Sequence, residues 1–519
     1  MRTGLIGLGI LLSFVGSVHA QAPSADTLVI AQSVDLETLE PAEIRSTNGT
    51  NIAMHLWGTL LRTEDSGDIV PFIAESYSYN EAGTEISFKI RSGLVCEDGE
   101  PLTAEDVAYT FNRAADPQLK FNGNTPGFVF NSLGFDGAYA ASSDVAVIKT
   151  KSFQPIAPGL ISRVFIHCKD SYEKMSPSDA ARRPVSSGPY RLVRWIKDDR
   201  VVLEKRPEFT LRDSSFKTLV WRVIPAASTR AAELIAGNVD IVANFLPDQQ
   251  QAINASGRAE VKAVIGTRRI YIGFNQKESF AKQSPGGSAI QKPEVRRALQ
   301  YAVDVPSICR TLLGAECQRA TGPANVGHPD LKPYPYDPEK AEALLDEAGY
   351  RRGPDGVRFR LTFQAPNGRY LSDGNVAMAV GQYLTDIGVE TKVELLDFVS
   401  GFQPLTRTHD AGPLFMLGSG GATWSQIYDM SLFSSRTAGA NYAEWMNPEW
   451  EKRWHRLSSA RNSREQQTLV NEMLEIFYKD PPWLLLYSQP DFYGVANRID
   501  WKPRRDEEIY AAEVRLKKT

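Results

Sequence analysis

Two hydrophobic periods take turns along this chain, and that exchange restricts the fold more than any other feature. Ile86, Phe88 and Ile90 alternate with polar residues, as in a strand with one buried face. Ala104, Val107, Ala108 and Phe111 then fall at i, i+3, i+4 and i+7, the apolar stripe of a helix. Strands are predicted at 27–31, 145–150, 201–204, 219–224, 389–396 and 483–487, the last of these buried and the final one in the chain. Between them lie helices with their own start and stop signals. Thr103 stands three residues before Asp106, the spacing of a capping box. Ser228 reads as an N-cap with Gly237 as the stop, and Pro293 takes a first helical position. Asp337-Pro338 opens a helix that Gly349 closes, and the amphipathic run 376–387 ends at Gly388. A further helix is expected over 52–61 and carries Trp57, after a loop at Asn48-Gly49-Thr50; 121–137 has no period and reads as loop. Strands interleaved with capped helices make the class α/β. At 519 residues the chain exceeds one core, so two or three domains are expected.

The first twenty residues stand apart. Arg2, an apolar run over 5–15 and Val18-His19-Ala20 have the order of a secretion signal, with Gln21 as the new N-terminus. About eleven apolar residues are too few to span a bilayer. No Cys follows the run, which argues against a lipid anchor, and a periplasmic location is expected. Four cysteines, Cys96, Cys168, Cys309 and Cys317, are an even number for an oxidising compartment. Cys309 and Cys317 enclose a short loop and pair naturally, leaving Cys96 with Cys168. Four cysteines allow three pairings, and sequence does not choose among them. The absence of C-x-x-C and of ligand spacing among six His argues against a metal or other cofactor. A formal charge of −4 without a Lys/Arg run argues against a nucleic-acid partner.

The stretch 93–113, GLVCEDGEPLTAEDVAYTFNR, resembles the segment R-x-G-V-x-F-x-D-G-x-P-L-T-A-E-D-V-x-x-S-F-x-R of the family 5 solute-binding proteins, departing at Cys96 and Tyr109-Thr110. Further markers come in family order. They include Ile69-Val70-Pro71 with Ala74-Glu75-Ser76, Gly188-Pro189-Tyr190, Gly237-Asn238-Val239-Asp240, Phe274-Asn275 and the 336–350 run YDPEKAEALLDEAGY. The family holds extracytoplasmic receptors of dipeptide, oligopeptide and nickel ABC importers. The resemblance implies a two-lobed periplasmic binding protein of type II, large class. Lobe I would be 22–57, 184–272 and 486–519, with 58–183 inserted into it, and lobe II would be 273–485. It also implies a monomer that passes a small-molecule or short-peptide ligand to the transmembrane subunits of an ABC permease.

No G-x-S-x-G, H-E-x-x-H or Walker A sequence occurs, so an enzyme is not expected, although paired carboxylates of a secreted hydrolase leave no sequence signature. Gly418-Ser419-Gly420-Gly421 reads as a tight turn rather than a phosphate cradle. In peptide-binding members this region is G-W-x-G-D, and its Asp meets the peptide amine. Here Trp and Asp are absent in register, and a buried ammonium without a partner costs several kcal/mol. Trp424 and Asp429 lie just downstream. Trp424 reads as a stacking wall or as core, and Asp429 as a cation partner or as a capping or solvated acid. Arg369, in a polar loop before a helix, reads as a fork for a carboxylate or as a surface residue. Trp57 faces the cleft or packs its helix; Asn48 touches ligand or only makes a turn. The expected ligand is therefore a peptide-like solute, with a sugar derivative, an opine-like conjugate or a metal chelate as the alternative.

Overall fold

The computed structural model describes residues 23–517 except Asn244, Leu246, 325–326, 421–424 and 436–440. The expected export signal and Trp424 lie outside the described residues. Ten strands form one mixed sheet: β1 (Thr27–Gln32), β2 (Tyr190–Ile196), β3 (Arg200–Lys205), β4 (Thr218–Val223), β5 (Ile241–Ala243), β6 (Ala259–Phe274), β7 (Phe359–Asn367), β8 (Val389–Asp397), β9 (Leu414–Ser419) and β10 (Trp483–Ala496). Their order is β8-β7-β9-β6-β10-β5-β1-β4-β3-β2.

The two long strands at the centre decide the architecture. β6 and β10 pair antiparallel along almost their whole length, but the register breaks between Ile265 and Arg269. On one side of the break β10 pairs with β5, and β1 lies parallel to both β5 and β4. On the other side β6 pairs with β9, and β7 lies parallel to both β9 and β8. Each group buries its own core. Helices Pro293–Tyr301, Pro338–Glu347 and Asp373–Asp386 supply apolar side chains to one of them through Val295, Leu299, Leu345 and Val380. Leu28, Ile30, Trp221 and Val495 belong to the other.

A separate antiparallel sheet, Ala74–Tyr79, Glu85–Ile90, Val145–Thr150 and Phe135–Ala140, is covered by helix Ala104–Ala115. That helix starts as its spacing predicts. Thr103 caps it and its backbone N–H donates to Asp106 Oδ2 at 2.6 Å, closing the capping box. Phe111 then stacks on Phe130 at 5.6 Å. The cysteines pair Cys96–Cys168 and Cys309–Cys317.

Several local expectations are corrected. Asn48-Gly49-Thr50 is no loop: Ser46 accepts from Gly49 N, and the helix runs Thr47–Leu56 with Trp57 as its C-cap. Ser228 is not an N-cap; Ala226 holds that place in helix Ala227–Ala236, without a side-chain bond. The 121–137 run folds into π-helical turns over Thr125–Phe130, an α-turn and the start of a strand, with Val129, Phe130 and Leu133 buried. The buried strand at Trp483 runs on to Ala496, and two short strands, Ile499–Asp500 and Arg515–Leu516, follow it. Gly418 and Ser419 form no turn but the end of β9, opposite Ile270 and Arg269.

Candidate functional site between facing strand ends

Strand direction places the site. β5 runs toward the register break, with Ile241 opposite Val495 and Ala243 opposite Tyr493, and β1 and β4 run parallel to it. β9 runs toward the same break from the other side, from Leu414 opposite Phe274 to Ser419 opposite Arg269, and β7 and β8 follow it. The carboxyl ends of both parallel groups therefore face each other across the break. In open α/β sheets ligands bind beyond such ends. A larger groove of about 960 Å³ lies along helix Ala104–Ala115, lined by Tyr109, Asn112, Ala140 and Glu173 and by no residue of the ten-stranded sheet.

Arg369 stands at the end of β7. It is exposed, and its guanidinium lies 5.3 Å from the centres of the Tyr370 and Phe398 rings. The loop that carries it is fixed by Asp373, whose buried carboxylate accepts from the backbone N–H of Gly368, Arg369, Tyr370 and Gly374 at 2.8–3.0 Å. The Tyr370 hydroxyl accepts from Gly418 N at 2.9 Å, and a Cβ on Gly418 would sit 2.8 Å from that ring. Gly420 has φ +130°, and a Cβ there would stand 2.1 Å from Thr267 O. The glycines thus let this end of β9 lie against an aromatic ring and against the broken strand β6.

At the break, Arg268 donates to Glu507 Oε1 at 2.6 and 3.1 Å, and Arg269 donates to Asp429 at 2.8 Å with both side chains 1% exposed. Asp429 is therefore held by a cation of the protein's own. Asn48 lies in the first turn of helix Thr47–Leu56, half-buried, and donates to Val34 O at 3.4 Å.

Trp57 is buried, and its indole N–H donates to Tyr172 Oη at 3.2 Å. It lines a cavity of about 70 Å³ together with Met54, Phe72, Phe165, Arg62, Arg163, Arg212 and Glu508. Arg163 donates to Glu508 at 2.8 Å. On the opposite wall, burial pushes the Tyr428 hydroxyl well up, and the charges of Arg269 and then Arg163 partly draw it back. His55, also in the wall, is uncharged: burial, together with the Arg212 charge, brings it down to about 4 despite its bond to Asn51 O. The two walls touch where Phe128 meets Tyr428 edge-on at 5.5 Å. They touch again where Arg461 donates to Glu81 O and Ala82 O at 2.7 and 2.6 Å.

Of the five residues singled out in the sequence, Arg369 reaches the strand ends and Trp57 the cavity. Sequence reading missed Arg62, Arg163, Arg212, Glu508 and Tyr370. Only Tyr370 carried a signal, as the neighbour of Arg369; the rest meet from segments more than 40 residues apart.

The profile of the bacterial extracellular solute-binding proteins, family 5 middle, matches residues 68–441. The chain belongs to this family. Its members are binding proteins that act outside the cytoplasm with ABC transporters. The glutathione-binding protein GsiB of Escherichia coli K12 is 24% identical over 510 residues, covering 93% of each chain. The oligopeptide-binding protein AppA of Bacillus subtilis is 22% identical over 479 residues, 88% of this chain and 86% of that one. Among solved structures, the ABC transporter substrate-binding protein CtaP of Listeria monocytogenes superposes with a TM-score of 0.81 at 19% identity, covering 94% of this chain and 99% of that one. NikA of Brucella suis in complex with Fe(III)-EDTA gives 0.80 at 19% identity, covering 95% and 100%. These likenesses establish a two-lobed periplasmic binding protein fold. No helix among the described residues is long and apolar enough to cross a membrane.

Proposed function

We propose that the protein is the periplasmic receptor of an ABC importer and closes on a peptide-like solute between the two sets of strand ends. The observation that carries this is their opposition across the β6–β10 break, with the exposed Arg369 on one wall and an arginine-lined cavity in the other. Relatives named for glutathione and oligopeptides support a peptide-like ligand. The break also supports the partition into lobe I (22–57, 184–272, 486–519), an inserted domain (58–183) and lobe II (273–485). Residues 1–20 direct export, and the mature monomer hands its ligand to the transmembrane subunits of the permease.

In this reading Arg369 forks onto a ligand carboxylate, Trp57 backs the cavity, and Asn48 holds the Val34 segment at the mouth. Trp424 stacks on the ligand. Asp429 acts through Arg269. Binding favours the closed form by its differential affinity for it, and no bond is made or broken, so the protein is not an enzyme. One observation favours a non-peptide ligand, a sugar derivative, opine-like conjugate or metal chelate. Asp429, nearest the missing amine-binding Asp, is already paired with Arg269.

Mass spectrometry of the molecule released from protein purified out of the periplasm decides between the two. A ligand containing a peptide bond is the expected result; one without it sinks the peptide reading. Turnover of added peptides, esters or glycosides would sink both.

A further inference from the structure

The cavity behind Trp57 has two kinds of wall. Met54, Trp57, Phe72 and Phe165 are apolar, while Arg62, Arg163 and Arg212 bring three guanidinium groups against one lining carboxylate among the described residues, Glu508. Arg62 pairs with Glu64, and Arg212 donates through Nη2 to Glu513 at 2.7 Å; neither acid lines the cavity. Arg62 Nε and Arg212 Nη1 are buried and donate to nothing among the described residues. A buried donor without an acceptor costs about 1–3 kcal/mol, so two of them on side chains that line one cavity call for an acceptor. His55 brings no charge of its own, and its Nε2 is taken by Ala511 N at 3.0 Å.

Shape narrows the guest. About 70 Å³ suits a carboxylate on a short stem rather than a whole residue. Arg163 is the most exposed of the three cations, at 28% of its side chain against 15% for Arg62 and 21% for Arg212, so an entering group meets it first. Resting on the receptor reading, we propose that this cavity takes a second acidic group of the ligand, a carboxylate on a short apolar stem, so that the receptor selects acidic peptide-like solutes. Glu508 balances Arg163 while the cavity is empty. Burial raises its proton affinity, so it accepts a proton more readily than a surface acid and opposes an incoming anion less.

The test compares acid with isosteric amide. Ala-Glu is expected to bind the full mature chain about tenfold or more tighter than Ala-Gln, the ratio for a charge-assisted pair over a neutral one. In the Arg62→Gln/Arg212→Gln double variant the ratio should fall toward one. A merely structural lesion would weaken both peptides and leave the ratio intact. Glu508→Gln keeps all three cations and should widen the ratio, which protects the test if the double variant folds poorly. A second arm needs no peptide. Propanoate, but not propanamide, should raise the melting temperature of the wild type and lose that effect in the variants. Equal binding of Ala-Glu and Ala-Gln, with propanoate and propanamide alike in effect, overturns the cavity assignment and leaves the receptor reading standing. A propanoate effect with neither peptide bound supports the cavity and counts against a dipeptide as the ligand.

Discussion

Replacing Asp491 with Asn should flatten the pH dependence of stability. Asp491 stands on β10 beside the register break, opposite Val264, and is 5% exposed. Gln489 donates to its Oδ1 at 2.9 Å, while Oδ2 has no partner among the described residues. A Cβ on Gly266 would come within 2.2 Å of that oxygen, so the broken strand presses directly on the carboxyl. Burial first, and then the Glu507 charge, push Asp491 up to about 8; Gln489 and Arg268 oppose the rise. The folded protein thus keeps this proton up to about pH 8, while the unfolded chain releases it near pH 4. Between those values the folded state binds more protons, so stability falls as pH rises. The loss from this one group is about 4 kcal/mol at pH 7 and about 5–6 kcal/mol above pH 8. For a chain of this length that corresponds to roughly 4–5 °C in melting temperature. Calorimetric scans from pH 4.5 to 9 on wild type and Asp491→Asn test it. The variant should lose less stability on going to alkaline pH, whatever constant offset the amide brings. Parallel curves for the two proteins would refute the argument.

Three further perturbations follow from the geometry. Burial raises Glu40, but His167 and Arg113 beside it bring its carboxyl down to about 2, with Arg113 bidentate at 2.9 Å. Arg113→Ala leaves that buried charge with only His167 beside it and should cost about 3–5 kcal/mol in denaturant unfolding; a loss under about 1 kcal/mol would show that the pair is not buried as described. Gly420→Ala has no room beside Thr267 O and needs a φ that only Gly adopts readily, so ligand affinity should drop while folding of the Cys96–Cys168 region persists; an unchanged titration by calorimetry would refute the close approach. Replacing Cys96 and Cys168 by Ser opens a loop with a sequence separation of 72 and should cost about 2–5 kcal/mol, read as a lower unfolding midpoint.

The periods and caps were legible because they are local. Thr103 with Asp106, Pro293, Asp337 with Gly349, and Gly388 each act within a few residues of themselves, and the helices start and stop where these residues say. The resemblance over 93–113 and 336–350 likewise carried the family. Local reading failed where burial overrode the pattern. The run 121–137 has no period, yet it is held by Phe130 stacking on Phe111 and Phe135. Asn48-Gly49-Thr50 looks like a turn, but Ser46 caps a helix there.

By itself the sequence determined the α/β class, the starts of helices Ala104–Ala115, Pro293–Tyr301 and Pro338–Glu347, the family and the loop that carries Arg369. Only the tertiary structure decided that β6 and β10 break register together, that both sets of strand ends face that break, and that Arg62, Arg163, Arg212 and Glu508 share one cavity. The physical reason is range. Capping and amphipathic burial are settled by neighbours three or four residues away, whereas this cavity wall is assembled from segments about 50 to 300 residues apart, and no pattern within any one segment encodes who the others will be.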